Sequence, residues 1–553
     1  MHRCLAVPEL LNLIFKEVHT SAKGGITVAA LARTAKCFQD VALDTLWEKQ
    51  MSLVPLVKCF PHEIWKETRQ EDGSKQLSFV RDPNAEDWGR VKFYASRVRA
   101  MYIDPCMFMG FFSVTALAPS AYLILKNCLG AEALLPSLRT FHWANPEKQE
   151  AEDLASLLLL LNSKASNVMI QMGKWNDESI REIVSALNTF GENPSQLRSI
   201  QIKSSPCAPL EDAVLALGIR QQHLLDFKYN WNNQMSLETI AHLSGLNNLR
   251  EVSIRADAER SREFFLWARE RGGHFFPSLQ LFSLFTDSVD VCEKWLNLIR
   301  QPDLHSLNVC VDQPPTAAAF HDFLTKLTEH PARDALHNVH FKSVQPSPRN
   351  NSLHMVRPDT LAPLLQLNIS QLQLEPGAPI DIDDECVERM ARAWPHLTVL
   401  ELNAEWRRYA PAGLVPSVTL KGLIPLAEHC PGVGMLALPI NTDVSGFEED
   451  YEAGLRPAGG VSFKQCYMLG VGPSPIEQEA DHLMIAGFLS DLCPDLMTLK
   501  TSWGRGQPMK EAGEGETSLD TESQEMGEAW RQTEKYAREM ARVRRQERAW
   551  MEL

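Results

Sequence analysis

Apolar residues recur through the middle of the chain in one six-residue figure: apolar, two variable, apolar, one variable, apolar. It is clearest in Leu197-Arg-Ser-Ile200-Gln-Ile202 and Leu397-Thr-Val-Leu400-Glu-Leu402. The period-two spacing that closes the figure marks a short strand. Equivalent figures begin at Val98, Leu138, Ala165, Leu197, Leu224, Leu249, Leu279, Leu304, Leu336, Ile369, Leu397, Val433, Cys466 and Leu496. Thirteen intervals cover 398 residues, a mean of about 31, which leaves room for one helix after each strand. Residues 177–187 supply such a helix, with Ile180, Ile183, Val184 and Leu187 on one face and Asp177 as its expected N-cap. Pro136, Pro194, Pro277, Pro395 and Pro494 stand two or three residues ahead of strands, where proline stops a helix and delivers extended chain.

This figure resembles the leucine-rich repeat. A strand-helix unit has one apolar face that it cannot bury alone, so neighbouring units must stack. The expected fold class is therefore α/β: a leucine-rich-repeat solenoid of parallel strands with helices, over residues 97–503. The ninth position, usually Asn or Cys, is so occupied only at Cys106, Asn232 and Asn441; aspartate stands at 257, 287 and 312. A continuous asparagine ladder is not expected. The variable residue inside each apolar triplet should face a partner, which singles out His142, Gln201, Lys228, Ser253, Asn308, His340, Gln373 and Glu401. Their mixed polarity selects no one sign of ligand.

The first fifty residues have helical periodicity. Leu10, Leu11, Ile14, Phe15 and Val18 form a stripe after Pro8, a helix-starting residue. After Gly24-Gly25, Leu31, Ala35 and Phe38 recur at helical spacing before a third short helix ending at Leu46 and Trp47. This segment resembles the F-box family through Pro8, Glu9, Leu10, Ile14, Phe15, Leu31, Lys36, Phe38, Leu46 and Trp47. Val7, Ala35 and a longer insert from His19 to Thr27 depart from the family pattern. Joined to leucine-rich repeats, the module is similar to F-box/LRR receptors, and its LARTAKCFQDVALDTLW phrase to F-box-like proteins of filamentous fungi. The resemblance implies docking to the Skp adaptor on a cullin scaffold, with a protein substrate held by the repeats and no covalent chemistry by the receptor itself. The expected adaptor contacts are Pro8, Leu10, Leu11, Ile14, Phe15, Leu31, Phe38, Leu46 and Trp47, because fifty residues cannot bury that much apolar surface internally. The alternative is a repeat scaffold unrelated to ubiquitination, its opening helices only capping the first repeat.

Residues 51–96 read as a helical and polar connector, with 71–90 as its polar part, and residues 441–460 as an acidic insertion. Residues 504–553 read as an acidic linker and a charged helix: 511–528 hold seven acids and no base, and 531–548 seven bases against three acids. Met526, Trp530, Thr533, Ala537 and Met540 offer a brief coiled-coil stripe, although a solvated helix is the expected outcome.

The formal charge of −15 opposes attraction to nucleic acid or anionic lipid. Twelve cysteines lie too far apart for zinc or redox motifs and are expected to be reduced, mostly buried thiols. Residues 105–125 are uncharged and nearly long enough to span a bilayer, but Pro105, Pro119 and four hydroxylated residues argue against it. Cytosol or nucleus is the expected compartment. Gly470-Val-Gly472 lacks the lysine of a phosphate loop and reads as a turn after a strand. No metal or catalytic spacing occurs among the histidines, so neither enzyme activity nor a cofactor is expected.

Overall fold

The computed structural model describes residues 7–551 apart from residues 22, 71–73, 104–114, 131, 146–150, 162–164, 174–175, 192–196, 206, 230–233, 349–351, 404–414, 446, 448–454, 457, 477–480 and 504–515. Cys106, Asn232, Pro105, Pro194 and much of the acidic insertion lie outside them. The chain divides into two compact units, residues 1–249 and 250–553.

The first unit opens with α1 (Pro8–Thr20), α2 (Gly24–Leu31) and α3 (Lys36–Glu48). The expected periodicity through Leu31, Ala35 and Phe38 is interrupted, because Ala35 turns extended (φ −150°) and becomes the N-cap of α3. Only glycine fits the bend before α2: a Cβ on Gly24 would lie 2.3 Å from the His19 carbonyl oxygen. Leu11, Phe15, Val28 and Ala42 form the core, with Val18, Leu31, Phe38, Val41 and Leu46 against it.

Then follow β1 (Lys49–Gln50), α4 (Val54–Val57), β2 (Trp65–Arg69), β3 (Lys75–Phe79), α5 (Gly89–Ala95), β4 (Ala100–Ile103) and β5 (Thr115–Leu117). The stretch expected as a polar connector holds β3, which pairs antiparallel with β2 and parallel with β5. It also holds the 3-10 turn Ala85–Trp88, closed by a reciprocal cap between Asn84 and Asp87. Leu77 and Trp88 are buried, and Phe60 meets Phe79 and Trp88 edge-on at 5.6 and 5.0 Å. A short strand with one fully buried position does not stand out from polar sequence.

The remaining elements of this unit are α6 (Pro119–Leu129), β6 (Thr140–Asn145), α7 (Ala151–Leu160), β7 (Asn167–Met172), α8 (Asp177–Gly191), β8 (Ser199–Lys203), α9 (Ala208–Ile219), β9 (Asp226–Tyr229) and α10 (Leu237–Ser244). β1, β4, β6, β7, β8 and β9 form a parallel ladder in that order. The side chain that accepts the Ser179 N–H at 2.8 Å is Asn176, one residue ahead of the expected cap.

The second unit alternates β10 (Glu251–Arg255), α11 (Ala258–Arg271), β11 (Leu281–Thr286), α12 (Val289–Leu298), β12 (Ser306–Val311), α13 (Ala317–Glu329) and β13 (Asn338–Ser343). It continues through α14 (Pro358–Leu361), β14 (Gln371–Glu375), α15 (Asp384–Ala393), β15 (Val399–Leu402), α16 (Ile424–His429) and β16 (Met435–Ala437). β17 (Met468–Gly472), α17 (Asp481–Leu492), β18 (Thr498–Thr501) and α18 (Glu516–Met551) complete it. All nine strands are parallel to their chain-order neighbours.

In both units the fold class is the α/β repeat solenoid. Each of the fourteen apolar residues that open a sequence figure is at most 8% exposed and lies two positions before a strand. Alternate strand residues such as Phe282, Leu284, Val339 and Phe341 are buried. Phe264 stacks on Trp295 at 5.1 Å, and the indole N–H of Trp295 donates to Ser261 Oγ at 3.0 Å. A buried indole is thus satisfied inside the core. The aspartates at ninth positions serve as caps and ties: Asp257 accepts the Arg260 N–H at 2.8 Å, and Asp287 accepts the Ala258 N–H of the preceding unit at 3.2 Å.

Two expectations are corrected. Gly470-Val-Gly472 is the end of strand β17, where the register shifts, and a Cβ on Gly470 would meet that of Ala437 at 2.7 Å. The C-terminal helix is not wholly solvated, since α18 packs on α17 and β18 with Trp530, Thr533 and Ala537 buried. Its coiled-coil stripe faces its own chain. All ten described cysteines are free and six of them are buried, with Cys37 and Cys128 exposed.

Candidate functional site

α1 carries apolar residues on two faces. Leu11 and Phe15 turn inward and are buried, Phe15 meeting Phe38 edge-on at 5.6 Å. Leu10, Leu13 and Ile14 face outward at 42%, 66% and 41% exposure, beside exposed Val7 and Pro8. Residues three and four apart share one side of a helix, so these form one continuous stripe. Lys16 pairs with Glu48 at 2.9 Å and ties α1 to α3.

The nine expected adaptor contacts therefore divide by position. Leu10 and Ile14 lie together on the open stripe and Pro8 is exposed at the helix start, while Leu11 and Phe15 are core and Leu31, Phe38 and Leu46 pack against them. Trp47 stacks on Tyr94 of α5 at 4.6 Å. Leu13, the most exposed apolar residue of α1, lies outside the expected contacts, because the stripe of Leu10, Leu11, Ile14, Phe15 and Val18 mixes inward and outward positions and leaves it out.

The module is fixed to the first repeat. β1 pairs with β4, and the Arg99 N–H donates to the Glu48 carbonyl at 3.0 Å. Arg97 pairs with Asp40 at 2.8 Å and with Asp44, and its guanidinium lies 4.6 Å from the Phe93 ring centroid.

Strand register gathers the expected substrate contacts into rows. In the first unit Tyr102, His142, Met169, Gln201 and Lys228 are consecutive cross-strand partners. In the second, Ser253, Ser283, Asn308, His340, Gln373 and Glu401 are. The rows are internally bonded: Asn308 donates to Ser283 at 3.1 Å and Gln373 to Glu401 at 3.0 Å. Two residues along, Lys342 pairs with Glu375 at 2.6 Å, and Arg255 of the same row reaches Asp312, just past β12, at 3.1 Å. Burial pushes the His340 pKa below its ordinary value, against the opposing pull of Glu375. The face is polar and its charges are balanced.

Among the described residues no group of three or more His, Cys, Asp or Glu could hold a metal ion. No described helix is long and apolar enough to cross a membrane. An apolar cleft of about 300 Å³ beside α5 is lined by Trp88, Val91, Ala95, Leu129 and Leu134, and its charged residues Lys92 and Glu132 pair with each other at 2.9 Å.

No protein-family profile matches the chain. No curated protein matches it in sequence. Among solved structures it is similar to a crystal structure of the Rad7 and Elc1 complex in yeast, with 11% identity, 74% of this chain and 92% of that chain covered, and a TM-score of 0.35.

Proposed function

We propose that the chain is a substrate-recognition adaptor of an SCF-type cullin-RING ubiquitin ligase. The helical module docks on the Skp adaptor and, through it, the cullin scaffold; the repeats bind a protein substrate; the chain itself does no covalent chemistry. One observation carries the reading: Leu10, Leu13 and Ile14 form an exposed apolar stripe on a helix whose other face already completes a core. Contiguous apolar surface of this kind marks a partner site.

Co-purification with the Skp adaptor tests it. The double variant L10D/I14D should lose at least about tenfold in adaptor affinity with an unchanged melting temperature, since both side chains are exposed. Phe15→Ala should instead destabilise the module by about 3–5 kcal/mol, because it empties a core position. Full adaptor binding by L10D/I14D would falsify the proposal. The pairing of β1 with β4 and the Trp47–Tyr94 stack favour a second reading, a repeat scaffold whose helices cap the ladder. On that reading no adaptor binds, and deleting residues 1–50 lowers the stability of the rest of the first unit.

A further inference from the structure

Strands β4, β6 and β7 are each entered through a residue whose carbonyl accepts two N–H groups from the next repeat. The Arg99 carbonyl accepts from Arg139 and Thr140 at 2.8 and 3.0 Å, that of Arg139 from Ser166 and Asn167 at 2.8 and 2.9 Å, and that of Ser166 from Arg198 and Ser199 at 2.7 and 3.0 Å. Arg99, Arg139, Ser166 and Arg198 are thereby locked in one row along the edge where the strands begin. All three arginines are exposed, and none has an ion pair among the described residues. Glu132, a carboxylate in the returns leading to these strands, is already paired with Lys92. The next row inward is uncharged at Thr140, Asn167 and Ser199, with Asp226 beyond them on β9. In a chain of net charge −15 this edge is cationic.

We infer that this row is a binding rail for an acidic peptide segment. At about 4.8 Å per strand, Arg99 to Arg198 spans roughly 14 Å, the length of about four residues of extended peptide. A guanidinium is permanently charged and holds a carboxylate side-on through two parallel hydrogen bonds. The neutral hydroxyls and amide alongside suit the backbone of a chain lying parallel to the row. A nucleic acid fits less well: the rail is single-file and short, and the protein's overall charge repels an extended polyanion. The inference goes beyond the ligase reading and does not depend on it, because binding is measured on this chain alone.

The test is fluorescence anisotropy with the full chain and a labelled eight-residue Asp/Glu peptide, beside its Asn/Gln counterpart and a single-stranded oligodeoxynucleotide of equal charge. The acidic peptide should bind, the amide peptide should not, and raising the salt should weaken the complex. R99Q/R139Q/R198Q should lower affinity about tenfold or more without moving the melting temperature, while the corresponding triple lysine variant keeps part of the binding. Equal binding by wild type and the glutamine variant overturns the inference. So does tighter binding of the oligonucleotide that the same three substitutions remove.

Discussion

His330 shows how much one side chain can link. It is buried; its Nε2–H donates to the Ile299 carbonyl at 2.5 Å, and its Nδ1 accepts the Ala332 N–H at 3.1 Å. The second bond needs the neutral ring, because a protonated Nδ1 cannot accept. Burial pushes its pKa below the ordinary 6.5, against the bonds to backbone carbonyls, and His340 shifts the same way for the same reason. The unfolded chain therefore binds protons more readily than the folded one. Stability from these residues is fully present above pH 6.5 and declines as pH falls from there toward the lower folded values. Thermal unfolding should show a drop in melting temperature from pH 7.5 to 5.5, and His330→Gln should lessen that drop while lowering stability at pH 7.5. An equal pH response in the variant would remove His330 from this account.

α18 closes the free edge of β18, and does so with specific bonds. Glu534 accepts the Leu499 N–H at 2.9 Å, Arg538 donates to the Met497 carbonyl, and the Trp530 indole donates to the Ser474 carbonyl at 2.8 Å. Arg544 reaches the fully buried Asp491 at 3.1 Å. An uncovered parallel edge would present unpaired backbone groups to other chains, a recognised route to aggregation. Trp530→Ala should cost about 3–5 kcal/mol. Glu534→Ala should be milder and local: hydrogen exchange at the Leu499 amide should speed up while amides of β12 stay unchanged. If Leu499 exchanges at the wild-type rate, its protection comes from elsewhere.

For the molecule as a whole, stacking means that each repeat depends chiefly on its immediate neighbours. Leu279 and Leu397 open equivalent figures in the second unit, both fully buried, with β12, β13 and β14 between their strands. Each change to alanine should cost about 2–5 kcal/mol. The double variant should lose the sum to within about 0.5 kcal/mol, as for distant sites without shared partners. Denaturant unfolding of the two single variants and the double one checks this; a coupling well above that margin would mean the strain is carried across three strands.

The repeats were legible because their signal is local and periodic. A leucine at position one and alternating apolar residues after it define a strand wherever they occur, and Leu197 and Leu397 sit in the structure as their spacing requires. The strand face was legible too, since parallel pairing in register turns equal sequence positions into rows such as Asn308, His340 and Gln373. What tertiary structure decided were matters of long-range contact. Two-sided apolar helices cannot announce which side is core, so Phe15, expected at the adaptor, is core, and Leu13, outside the expected contacts, is exposed. Lys49–Gln50 and Lys75–Phe79 are too short or too polar to be strands except beside their partners. α18 reads as a charged helix in isolation; it becomes a cap because an unpaired sheet edge and a buried aspartate are there to receive it.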